Sequence, residues 1–200
     1  MKTLLQLNTS LFSGQGQSTQ LADQFVARWR DKNPDGRVIT RDLAADPAPH
    51  LDGARFQSFL TAPESRTAAQ NVVVAYSDAL IEELRAADIV VLGLPMYNFG
   101  IPSTLKAYFD HVARVGVTFK YTEQGPVGLL GDKTVVVYAA RGGRYAGTPL
   151  DTQTDYVRNF LRFIGIDDVR FVYAEGLALG EDSKVAALAQ ARSDTEMLVA

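Results

Sequence analysis

Short apolar runs alternate with longer amphipathic stretches along the whole chain. Residues 3–7, 37–40, 89–94, 134–140 and 169–174 are rich in Leu, Ile and Val and short enough to be strands. The third and fourth of these are nearly unbroken apolar runs, as expected of parallel strands covered on two sides. Between them the period changes. Leu21, Phe25 and Trp29 recur at four-residue spacing, so the sequence predicts a helix from Ser18, ended by the turn Asn33-Pro34-Asp35-Gly36. Further helices are expected at about 65–86, 103–112, 154–164 with a stop at Gly165, and 184–198. The stretch with Pro47, Pro49 and Gly53 reads as loop that covers part of a site.

Five strands alternating with five helices call for right-handed crossovers and a parallel sheet. The favoured arrangement is an α/β, doubly wound, five-stranded parallel sheet ordered 2-1-3-4-5, the flavodoxin-like order, with helices on both faces. One segment resists this scheme. Residues 113–133 are too long and irregular for a simple crossover, with an extended piece at Val117-Thr118-Phe119-Lys120-Tyr121 and a turn at Gly125-Pro126. They read as an insertion beside the site.

Length and composition narrow the picture. With 200 residues and 46% apolar content, one compact domain spanning 1–200 is expected. A net charge of -3 and a pI near 5.4 disfavour nucleic acid as a partner. There is no cysteine, so thiol redox chemistry and thiolate metal sites are excluded and any redox function needs a bound cofactor. The opening residues are too short and polar for a signal peptide and no run approaches a membrane span, so a cytoplasmic protein without membrane attachment is expected. His50 and His111 have no second histidine at ligand spacing; they read as structural or solvated, and no metal is expected.

In a 2-1-3-4-5 sheet, the loops after strands one, three and four meet at the crossover point, where open α/β sheets bind ligands. The first loop, from Asn8 to Thr19, is rich in hydroxyls and glycine and leads straight into a helix. That suits a phosphate, although Ser18 or Thr19 simply capping the helix is the plainer alternative. Gly14-Gln15-Gly16-Gln17-Ser18-Thr19 nearly matches a dinucleotide fingerprint, but Thr19 stands in place of the third glycine. The acidic residue is misplaced too: Asp42 follows Gly16 by 26 positions, where about 20 is usual. The second loop, Pro95-Met96-Tyr97-Asn98-Phe99-Gly100-Ile101-Pro102, has two prolines to stiffen it and aromatic and amide groups to grip something flat with polar edges. Flavin fits. In the third, Ala140-Arg141-Gly142-Gly143-Arg144-Tyr145, paired glycines let main-chain N–H groups approach a ring edge, and Arg141 favours negative charge; a plain Gly-Gly turn is the alternative.

Pro95-Met96-Tyr97-Asn98-Phe99, Leu105-Lys106-Ala107-Tyr108-Phe109-Asp110 and Arg141-Gly142-Gly143 together resemble the FMN-dependent NADH-azoreductases, also described as NADH:quinone oxidoreductases. Gly116-Val117-Thr118-Phe119-Lys120-Tyr121-Thr122-Glu123, Phe163-Ile164-Gly165-Ile166 and Ala174-Glu175-Gly176 extend the likeness over essentially the whole chain. The resemblance implies a flavodoxin-like homodimer with non-covalent FMN, one per subunit, at two interface sites. By position it assigns phosphate binding to Ser10, Gly16, Gln17 and Ser18, ring flanking to Met96, Tyr97, Asn98 and Phe99, and the ring edge to Ala140, Arg141, Gly142 and Gly143. Gly16 and Ala140 stand where the family often has serine. It further implies a two-step reaction: NADH or NADPH gives hydride to the flavin and leaves, then a quinone or azo compound is reduced at the same face. No protein nucleophile is needed, because the cofactor carries the chemistry. Tyr121 and Phe163 are the expected acceptor-facing aromatics, contributed by the partner chain, with Phe163 equally readable as a core residue. Two other functions compete. An electron carrier without turnover of its own would be expected to be more acidic, and a flavin-free Rossmann enzyme would need the full glycine fingerprint.

Overall fold

The computed structural model describes residues 1–199. Its central sheet has five parallel strands: β1 (Thr3–Asn8), β2 (Arg37–Asp42), β3 (Ile89–Pro95), β6 (Thr134–Ala140) and β7 (Asp168–Ala174), ordered β2-β1-β3-β6-β7. Between β3 and β6 the strands β4 (Phe119–Thr122) and β5 (Gly125–Gly128) pair as a separate antiparallel hairpin. With the hairpin set aside, the order is the expected 2-1-3-4-5. Among the described residues five α-helices lie between strands, α1 (Gln17–Lys32), α2 (Gly53–Leu60), α3 (Ala68–Ala86), α4 (Ser103–Val112) and α5 (Thr154–Phe163), and α6 (Glu181–Val199) follows the last strand.

Alternating side chains of the inner strands feed two hydrophobic clusters, as the two-residue period of a strand requires. Leu5, Leu7, Val90, Leu92, Leu94, Val135 and Val137 join residues of α3, α4 and α5, including Leu80, Leu84, Leu105, Phe109, Val157 and Leu161. Leu4, Val91, Val136 and Tyr138 join Leu21, Phe25 and Trp29 of α1 and Ala191 of α6. The inner strands β1, β3 and β6 are buried at nearly every residue, as strands covered on both faces must be, while the more exposed β2 sits at an edge.

Several boundaries differ from the sequence expectation. The proline-bearing stretch expected as loop contains α2, whose N-terminus is capped by Asp52 accepting from the Arg55 N–H at 2.8 Å. The expected helix at 65–86 begins only at Ala68, because Pro63–Ser65 forms a 3-10 turn and Thr67 and Gln70 form a reciprocal capping box. In the insertion, Gly125 and Pro126 belong to β5 rather than a turn, pairing with Thr122 and Tyr121; Glu123 and Gln124 make the turn. Pro126 is tolerated since a two-stranded hairpin has only edge strands.

Candidate functional site

Strand β1 leads into a buried loop start, with Thr9 and Ser10 no more than 1% exposed. The Thr9 hydroxyl donates to the Gly93 carbonyl of β3 at 2.7 Å. A 3-10 turn over Ser13–Gln15, with Ser13 at φ +46°, then folds the chain back over Ser10. Gly16 follows as the N-cap of α1. A Cβ at Gly16 would lie 2.1 Å from Ser10 Oγ, so the serine side chain occupies the space that any larger residue at 16 would need. The first intrahelical bond runs from the Gln20 N–H to the Gly16 carbonyl at 2.9 Å, and no side chain caps the helix. The preceding N–H groups of the first turn therefore keep their donors, with the positive end of the helix dipole behind them. The buried hydroxyls of Ser18 and Thr19 also have no partner, so neither residue is the cap that the plainer sequence reading assigned. Unspent donors at an uncapped helix N-terminus suit an anion with several oxygens.

The close approach that Thr19 could not supply comes from the opposing strand. A Cβ on Gly93 would stand 3.3 Å from the Ser18 backbone, so this glycine of β3 lets α1 start tight against the sheet.

Strand β3 continues into the second loop with the Met96 N–H donating to the Ala140 carbonyl at 3.1 Å. Tyr97 and Gly100 exchange backbone hydrogen bonds of 3.2 and 3.0 Å around a two-residue turn in which Asn98 and Phe99 have φ of +50° and +64°. Asparagine takes this left-handed conformation readily; phenylalanine does not, and holding it there costs on the order of 1–3 kcal/mol. The Phe99 ring is half exposed and meets Tyr145 edge-on, with centroids 5.7 Å apart. The Tyr97 hydroxyl accepts from the Leu11 N–H at 3.1 Å and lies 3.5 Å from Ser10 Oγ, joining the second loop to the first.

In the third loop the carbonyls of Arg141, Gly142 and Gly143 accept from Leu177, Ala178 and Gly176, at 3.1, 3.0 and 2.8 Å. The glycines thus sit in a second layer of backbone pairing rather than a free turn. Arg141 departs from the expectation that its charge faces a ligand. Its side chain is fully buried, donating to Asp151 at 2.8 Å, Glu175 at 3.0 Å and Thr154 at 3.2 Å, with the guanidinium stacked over Tyr173. Burial alone would push the Asp151 carboxyl up, but the hydrogen bonds from Arg141 and Thr154 outweigh it and hold it below the usual carboxylate range. Glu175 also accepts from the N–H groups of Tyr145 and Ala146, both at 2.9 Å. The arginine therefore indexes the loop to its neighbours.

Residues 2–198 match the family described by the flavodoxin-like fold. The chain is 57% identical to the FMN-dependent NADH:quinone oxidoreductase of Cellvibrio japonicus over 200 residues, covering 100% of both chains. It is 56% identical to FMN-dependent NADH:quinone oxidoreductase 6 of Burkholderia lata over 192 residues, 96% of this chain and 97% of that one. The chain belongs to the FMN-dependent NADH:quinone oxidoreductase family. Among solved structures, an azoreductase from Bacillus anthracis superposes with a TM-score of 0.91 at 28% identity, covering 100% of this chain and 99% of its own.

For a member of this oxidoreductase family the two remaining expectations were Tyr121 and Phe163. Tyr121 stands on the hairpin, 70% exposed, with its ring edge-on to Phe119 at 5.6 Å. Phe163, at the end of α5, packs on the same Phe119 at 4.2 Å. Phe119 brings the two together, but among the described residues no hydrogen bond or ring contact links either to the three loops of its own chain. The sequence reading missed Thr9, Gly93, Gln153 and Glu175, which build the site without facing its opening. Glu175 lay inside a segment that carried the family resemblance; Gln153 had no signal, since a lone glutamine before a helix is unremarkable in pattern.

Proposed function

We propose that this chain is a single FMN-binding domain of an oxidoreductase that transfers electrons from NADH or NADPH to quinones and azo compounds, with helices covering both faces of its sheet. The observation that carries the reading is the uncapped N-terminus of α1 with its unpartnered Ser18 and Thr19 hydroxyls, at the same strand end as the Met96–Phe99 and Ala140–Gly143 loops. Ser10, Gly16, Gln17 and Ser18 would hold the FMN phosphate, and the compact Gly16 does so through its main chain. Met96, Tyr97, Asn98 and Phe99 would flank the ring, and Ala140, Gly142 and Gly143 would lie at its edge, positioned by the buried Arg141. Bound there, FMN would supply two-electron redox chemistry between the nicotinamide donor and the quinone or azo acceptor. The half-exposed Phe99 would wall the opening where both substrates enter in turn, giving a two-step exchange on one face. The protein would act in the cytoplasm as a homodimer, with Tyr121 and Phe163 reaching the partner's site.

The test is the visible spectrum of the purified protein after FMN addition and desalting, then anaerobic NADH, then a quinone. The expected result is a retained flavin band that bleaches with NADH and returns with quinone. A retained band that NADH leaves unchanged would point instead to an electron carrier, and loss of the flavin on desalting would overturn the site assignment.

A further inference from the structure

We infer that Gln153 is a positioning residue that holds the Asn98–Phe99 turn in its left-handed form, and through that turn sets how FMN is gripped. Gln153 is completely buried, directly before the first residue of α5. Its Nε2 donates to the Pro95 carbonyl at 2.9 Å and to the Gly100 carbonyl at 2.8 Å, one on each side of the turn. Both amide hydrogens are thus used to pinch together the two chain segments that the turn connects.

The turn needs such a brace. Neither Asn98 nor Phe99 is glycine, both lie at positive φ, and the half-exposed Phe99 ring gains too little burial to hold its own backbone in place. Among the described residues, the other hydrogen bonds that close the turn are the Tyr97–Gly100 backbone pair and that from the Thr152 hydroxyl to the Phe99 carbonyl, while the Phe99 ring touches Tyr145 only edge-on. Thr152 adjoins Gln153, so among the described residues the segment preceding α5 supplies the side-chain hydrogen bonds to the carbonyls of Pro95, Phe99 and Gly100.

Gln153 is in turn located by the ionic node of the third loop. Asp151, held by Arg141, accepts from the Gln153 N–H at 3.3 Å and the Thr154 N–H at 3.1 Å. A continuous chain of contacts runs from Arg141 through Asp151 and Gln153 to Pro95 and Gly100. The second and third loops are therefore set relative to one another by groups that do not line the site. The amide is required rather than its shape: a carboxylate there would face two carbonyl oxygens, and a thioether would take the side-chain donor from both, leaving Gly100 only the Tyr97 N–H.

This inference rests on the FMN reading above. The experiment compares wild-type protein, Gln153→Met and Thr152→Val by FMN titration, read as quenching of free-flavin fluorescence, together with visible circular dichroism of the bound flavin and thermal unfolding of the FMN-free protein. Failure of the wild type to bind FMN would overturn the function and not reach Gln153. Given wild-type binding, Gln153→Met is expected to weaken FMN by about tenfold, the effect of one to two lost hydrogen bonds, and to change the dichroic band of the bound flavin. Unchanged affinity and an unchanged band, with only a lower unfolding temperature, would make Gln153 merely structural and overturn the inference. Thr152 is at the surface, so Thr152→Val tests the same turn if Gln153→Met does not fold. A weaker effect of the same kind is expected, and wild-type affinity and dichroism in that variant would also count against it.

Discussion

At the scale of single residues, the polar groups that organise this site are buried and mutually committed. Arg141 leaves two carboxylates, Asp151 and Glu175, with side chains only 7% and 15% exposed. Arg141→Met should therefore cost about 3–5 kcal/mol in urea unfolding, because removing one partner strands buried charge; a change within experimental error would show that the node is solvated. His111 gives a pH signature. It is fully buried, and since the Pro49 carbonyl 2.9 Å away can only accept, Nε2 carries the proton and Nδ1 has no partner. Burial beside Phe59 and Tyr76 lowers its pKa from the ordinary 6.5, against the smaller upward pull of the Pro49 hydrogen bond. The unfolded chain then takes up the proton first as pH falls. Stability from the neutral ring is complete above about pH 6.5 and is lost as pH drops from there towards the lower folded value. Asp151 works in a separate window: its folded pKa lies beneath 3.8, so its contribution fades only as pH falls below about 4. Urea midpoints measured from pH 8 to pH 5 should fall on the acid side for wild type and flatten in His111→Gln.

At the scale of elements, the hairpin depends on one backbone-to-backbone approach. A Cβ on Gly128 would meet the Gly165 nitrogen at 2.0 Å, while the Leu129 and Leu130 N–H groups bond the Ile164 carbonyl at 3.1 and 2.9 Å. Gly165 itself has φ +100°. Gly128→Ala should thus dislodge the hairpin from the end of α5 and destabilise the protein by about 1–3 kcal/mol; hydrogen exchange confined to 117–130 would report it, and wild-type protection there would refute it. On the same hairpin, Tyr121→Ala should keep FMN and change steady-state kinetics with quinone or azo acceptors. Unchanged rates for every acceptor would remove Tyr121 from the pocket. The five main strands were legible in the sequence because each carries a short run rich in Leu, Ile or Val between longer amphipathic stretches. Helix α2 was not, since Pro47, Pro49 and Gly53 read as loop signals while its cap, Asp52, is an ordinary polar residue in sequence. The turn expected at Gly125-Pro126 failed for the converse reason: turn-forming residues were recruited into an edge strand by their pairing partners.

At the scale of the whole molecule, Val115, Tyr121, Val127 and Leu129 expose apolar surface on and beside the hairpin. Sedimentation equilibrium should give twice the 21.8 kDa chain mass if this surface is covered by a second copy; a mass of one chain would remove the proposed partner contribution to the pocket. By itself the sequence determined the α/β class, the strand order and the three loops that meet at one edge, since periodicity and crossover handedness leave few topologies open. Tertiary structure alone decided what those loops do with their side chains. It committed the Arg141 guanidinium to Asp151 and Glu175, made Gly16 the cap in place of Ser18, and assigned the close approach to Gly93 instead of the residue after Ser18. Each outcome depends on groups distant in sequence that compete for the same donors and space, and local pattern carries no record of that competition.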